Sequence, residues 1–181
     1  MTNVSTETRA ASSDEAAARA HDLAVIIEHG VVAGMIGAAV VAIWFLLFDV
    51  LLREAFYTPS LIGSVIFQDL DVHLVTGVNT SMVFAYSGLH GAAFLIAGTV
   101  LAWMFSLVER NPQFGLVLVL LFLLFQSVIF GFEAAIVPNL VGALGAWAVA
   151  MANLLSAVAM FWFLLRRRPR AMARLRESWE E

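Results

Sequence analysis

The sequence predicts an all-α integral membrane protein: a four-transmembrane-helix bundle, N-in/C-in, with a short amphipathic surface helix in its first outer loop. Three observations carry that expectation. The 181 residues are 61% hydrophobic and 13% charged with mean hydropathy +0.88, far from the roughly 45–50% apolar and 25% charged of soluble domains. Four apolar runs each have the length to cross roughly 30 Å of hydrocarbon, which takes about 20 helical residues. The ten basic residues, all arginine, gather on one side of those runs. The absence of cysteine excludes disulfide scaffolds, thiol redox chemistry, Cys-ligated zinc and iron–sulfur clusters.

The spans are expected at about residues 25–48, 82–105, 114–132 and 140–165, within a membrane domain of residues 23–165. The runs are continuously apolar rather than alternating, which argues against barrel strands. Backbone in lipid must satisfy its own hydrogen bonds, which leaves helices. Residues 1–22 are polar and lack the basic start of a signal peptide. They are expected to be a retained cytoplasmic segment, disordered to Ala11, with a short surface helix opening at Ser12-Ser13-Asp14-Glu15. In the first outer loop, Tyr57-Thr58-Pro59-Ser60 reads as a helix start. Leu61, Ile62, Val65 and Ile66 follow at helical spacing, predicting an amphipathic helix over Ser60 to Gln68.

Orientation follows from arginine. Arg166, Arg167, Arg168, Arg170, Arg174 and Arg176 lie in a basic tail, residues 166–181, just after the fourth run. With four spans, Arg9, Arg19 and Arg110 share that side, and only Arg53 lies on the other. Basic residues concentrate in the cytoplasm, so both termini are expected there. Arg166, Arg167, Arg168 and Arg170 are expected to hold anionic lipid headgroups, at about 1 kcal/mol each. That anchoring explains the cluster without a nucleic-acid partner.

In lipid, small residues four apart let helices approach closely. Gly30, Gly34 and Ala38 form such a row in the first run, Ser87 with Gly91 and Gly88 with Ala92 in the second, and Gly142, Ala146 and Ala150 in the fourth. The third has almost none and is expected to face lipid or a partner subunit. His29-Gly30 before Gly37 is echoed by His90-Gly91 before Gly98, a match resting on few residues.

Ionisable residues inside spans are the default functional candidates. His90, Glu133 and Asp49, with Tyr86 and Gln126 beside them, are all expected in the outer half of the bundle. His90 and Glu133 are expected to share a hydrogen bond, directly or through water. A histidine and two carboxylates can bind a divalent metal or relay protons. The plainer alternative is interhelical hydrogen bonding. Asp69, Asp71 and His73 form a weaker metal candidate on the outer loop, where such triplets are common in ordinary turns.

Trp44-Phe45 with Asp49, then Phe56-Tyr57-Thr58-Pro59-Ser60-Leu61-Ile62-Gly63-Ser64, then Leu89-His90-Gly91-Ala92-Ala93-Phe94 resemble a group of uncharacterised small four-span bacterial inner-membrane proteins. The resemblance implies a bacterial inner-membrane location and supplies no activity. The residues themselves show no nucleophile–base pair, phosphate loop or dense ligand set. The expectation is therefore an accessory or structural subunit of a larger membrane assembly, without catalytic chemistry and with no cofactor favoured. Its expected partners are membrane lipids and other membrane subunits or further copies of itself. The alternatives are a small proton-coupled carrier using His90 and Glu133, and a metal- or haem-binding redox protein.

Overall fold

The computed structural model describes residues 3–110 and 145–167. The third expected span with Gln126 and Glu133, and Arg168 and Arg170 of the tail, lie outside the described residues. The described chain is helical: α1 is Asn3–Leu52, α2 is Tyr57–Gln68, a 3-10 turn covers Val72–Leu74, α3 is Thr80–Arg110 and α4 is Ala146–Arg167. Three of these helices, α1, α3 and α4, are long and apolar enough to cross a membrane, which makes this a multi-pass membrane protein.

Helix α1 runs unbroken for 50 residues, so the helix expected to open near Ser12 runs directly into the span and begins earlier, at Asn3. At 1.5 Å per residue it is about 75 Å long, more than twice the hydrocarbon thickness. Its solvated part carries an i,i+4 ion pair, Arg19 to Glu15 at 2.9 Å. Helix α4 starts at Ala146, directly after Gly145, whose φ of 83° no α-helix can accommodate. The carbonyl of Gly145 accepts from the amides of Ala148 and Val149, opening the first turn.

Both other described spans pack against α1. Gly30 lies against the backbone of Thr99, and Gly34 against the backbone of Phe94 and Leu95. From the other side, Gly98 presses on the backbone of Gly30 and Gly34. Rising numbers on α1 meet falling numbers on α3, so the two are antiparallel. Gly91, by contrast, has no described atom near its missing Cβ, so of the echoed pairs Gly37 and Gly98 both pack closely while Gly30 and Gly91 differ.

Gly37 faces both neighbours at once, Phe94 of α3 and Met160 of α4. On α4 the buried row is Ala148, Ala152 and Ser156. Ala146 and Ala150 of the expected row are exposed among the described residues. At one end of the bundle Ile26, Ala33, Ala102, Phe105, Val108 and Leu164 bury one another. There Phe105 and Phe161 meet edge to face at 5.0 Å, joining α3 to α4. At the opposite end Trp44, Phe48 and Trp147 form an aromatic cluster with centroids 5.3–6.5 Å apart.

Helix α2 folds back beside the start of α3. Gly63 sits against the backbone of Met82, and Leu61 and Ile62 pack with Val72 beneath the loop. Ser60 and Ser64 are buried with them, so this helix does not sort cleanly into an apolar inner and a polar outer face.

Gly34→Ala drives a methyl into the Phe94 carbonyl, which cannot yield without moving a helix. It is expected to lower stability by about 1–3 kcal/mol, measured by reversible unfolding in mixed micelles. Gly88→Ala, which meets no described atom, is expected to stay within about 0.5 kcal/mol of the parent.

Candidate functional site

Among the described polar residues singled out in the sequence, Asp49 and His90 sit at two levels of the bundle. Asp49 closes α1, and its side chain is 1% exposed. One carboxylate oxygen accepts the Thr58 amide at 2.7 Å, and the other accepts the Thr58 hydroxyl at 2.6 Å. The local backbone explains why. Helix α2 begins behind Phe56, a left-handed residue with φ of 67° whose side chain has no oxygen to cap anything. The first amides of a helix lack partners within it, and negative charge is favoured at that end. Asp49 supplies from the preceding helix the acceptor that the capping position lacks. The turn between them is tied by Arg53 N–H to the Asp49 carbonyl at 2.8 Å and Tyr57 N–H to the Glu54 carbonyl at 3.0 Å.

His90 is half-buried in the middle of α3. Its Nε2 lies 3.3 Å from the carbonyl oxygen of Ala38 on α1. A carbonyl only accepts, so Nε2 carries the proton and donates it. Tyr86, His90 and Phe94 stack along one face of α3 at centroid spacings of 5.6 and 4.7 Å. Tyr86 also packs on the α2 cluster, which links the two levels. Ala38 and Asp49 are eleven residues apart on one unbroken helix, about 16 Å along its axis. The described residues therefore bring His90 and Tyr86 together but leave Asp49 in a different set of bonds. Gln126 and Glu133, the remaining members of the expected cluster, lie outside the described residues.

The loop after α2 uses its polar groups in the same way. Asp71 accepts the His73 amide at 2.9 Å and caps the 3-10 turn. Asp69 takes a left-handed φ of 53° to end α2. Among the described residues no three His, Asp or Glu side chains are grouped to hold a metal ion. Asn79 caps α3 through its side-chain oxygen, which accepts from Ser81 and Met82 at 3.1 and 3.4 Å. Its own amide donates to Ser60 Oγ at 2.7 Å, and Tyr57 O–H donates to the Val75 carbonyl at 3.1 Å.

Two more ties join α1 to α4. Trp44 Nε1–H donates to the Ala148 carbonyl at 3.0 Å, and Ser156 Oγ–H to the Gly37 carbonyl at 3.3 Å. At the end of α4, Arg166 lies over the Trp162 ring at 4.6 Å and Arg167 over Phe163 at 5.7 Å. Cations there also complement the helix C-terminus. The sequence reading assigns no bond to Thr58, Asn79 or Trp44. The available signal was a buried-side acid, Asp49, a short turn ahead of a helix start.

No protein-family model, curated protein or solved structure matches this chain.

The Asp49 bonds make a specific demand. Asp49→Ala strands a buried amide and is expected to cost about 1–3 kcal/mol, with faster hydrogen exchange across residues 57–68. Asp49→Asn keeps an oxygen for the amide and a donor for the Thr58 hydroxyl, and is expected to retain most of the stability. If the charge itself were required, Asn would be as damaging as Ala.

Proposed function

We propose that this protein is an accessory or structural subunit of a larger assembly in the bacterial inner membrane, without catalytic chemistry of its own. One observation carries the reading. Four polar side chains of the described spans and their ends tie elements of this chain to one another: Asp49 to Thr58, His90 to Ala38, Ser156 to Gly37 and Trp44 to Ala148. Catalytic and carrier sites need polar groups turned toward a ligand or a water path. Here such groups serve helix packing, at about 0.6–2 kcal/mol each.

The proposed architecture has four spans, with α2 near the outer surface and both termini in the cytoplasm. Helices α3 and α4 both run antiparallel to α1, which supports a further crossing between Arg110 and Ala146. The apolar run 114–132 has the length to make that crossing. The arginine distribution then sets the sidedness. Lipids contact the apolar flanks, where Met35, Leu47, Phe84, Ile96 and Val158 are all more than half exposed. Partner subunits are proposed to share those flanks.

Extraction from the native host in mild detergent is expected to yield this chain together with larger membrane subunits in fixed ratio. Isolation as a homogeneous monomer or homo-oligomer, with no other subunit under several mild extraction conditions, would contradict the proposal.

A further inference from the structure

An open cleft of about 510 Å³ lies where the end of α1, α2 and the following loop meet. Its volume is within the roughly 300–1,000 Å³ usual for small-molecule sites. Leu61 and Val72 are buried at its floor, and Arg53, Glu54 and His73 are exposed at its rim. Tyr57 lines one wall and is held by its hydroxyl on the Val75 carbonyl. The Arg53 guanidinium lies over the Tyr57 ring at 5.4 Å, which orients the cation while its N–H donors radiate in the guanidinium plane.

The depth of this cleft follows from α1. Glu28 and Arg53 are 25 residues apart, with buried Asp49 the only charged residue between them. That separation is about 38 Å, slightly more than the roughly 30 Å hydrocarbon core. Val50, Leu51, Leu52 and Phe56 are all at least half exposed just before and after the turn. With these residues at the edge of the hydrocarbon, Arg53 would stand at the level of lipid phosphates.

We propose that this cleft binds the headgroup of a phospholipid bearing a primary amine, with its phosphate on Arg53 and its ammonium on Glu54. A guanidinium fork matches phosphate geometry, and an ionised carboxylate accepts the N–H bonds of an ammonium. The adjacent opposite charges favour a zwitterion. An anionic headgroup without an amine would face Glu54 unpaired, and a trimethylated amine has no N–H to donate. The exposed Leu51, Leu52 and Phe56 lie beside the rim to receive acyl chains. This inference is independent of which partner subunits the protein serves.

The test is a titration of the delipidated full-length protein in detergent, read by native mass spectrometry. The probes are short-chain phosphatidylethanolamine, phosphatidylcholine and phosphatidylglycerol, with soluble phosphoethanolamine as a fourth. The ethanolamine lipid is expected to bind about fivefold more tightly than the other two lipids. Glu54→Gln is expected to abolish that preference, and Arg53→Gln to weaken all three lipids, with Arg53→Lys partly restoring them. Thermal melts check that each variant is folded; should Arg53→Gln unfold, Glu54→Gln carries the test alone. Equal binding of the three lipids by the parent, or an unchanged preference in Glu54→Gln, overturns the proposal. Phosphoethanolamine binding as tightly as the lipid would assign the cleft to a free solute and overturn it equally.

Discussion

Direct backbone contact between α1 and α3 sets the terms for everything else in this bundle. Water is absent from the hydrocarbon, and apolar side chains gain little by leaving lipid for one another. Close packing and short polar bonds must hold the helices instead. Gly30, Gly34 and Gly98 remove the side chains that would keep the two backbones apart. At that distance an imidazole on α3 can reach a main-chain carbonyl on α1, as His90 does with Ala38. Gly37 extends the principle to the third partner, leaving its carbonyl open to Ser156 while its bare Cα admits Met160 and Phe94. Helix α1 is thus the mast, and α3 and α4 are secured to its backbone at successive heights.

The same economy of polar groups governs the end bearing α2. A carboxylate 1% exposed would be costly if left alone. Asp49 is instead bonded through both oxygens to the first turn of a helix that has no cap of its own. That contact folds α2 back along the bundle, where Ser60 and Asn79 fasten it to the start of α3. The fold of the loop in turn creates the cleft whose rim carries Arg53 and Glu54. A buried structural acid and an exposed pair of opposite charges therefore stand four and five residues apart, with unlike roles set by their surroundings.

Much of the helical architecture was legible because it is local. Long apolar runs announce α1, α3 and α4, and Tyr57-Thr58-Pro59-Ser60 announces α2 within a few residues of its actual start. Gly30 and Gly34 were also readable as a packing row. What was not legible depends on rotation and distance. Ala148, Ala152 and Ser156 face α1 where Ala146 and Ala150 were expected, because a helix rich in small residues offers several equivalent rows. Gly98 makes the contact that Gly91 does not, since the crossing point along α3 is set by its neighbour. The start of α4 depends on a single φ at Gly145. For the site, Tyr86 and His90 share a face as their spacing of four requires. Asp49 was readable as an intramembrane acid, but its partner Thr58 lies nine residues on, across a turn that periodicity does not describe.

The central claim is that polar groups within the described spans are bonds of the scaffold, and His90 is its sharpest case. Solid-state NMR on histidine-labelled protein in bilayers measures the claim directly, through the ring nitrogen shifts and a through-space correlation to the Ala38 carbonyl carbon. The account predicts a His90 ring protonated at Nε2 and correlated with Ala38, unchanged by chelator or added metal. A bare or metal-bound Nε2, or a correlation to the Glu133 carboxylate in place of Ala38, would contradict it.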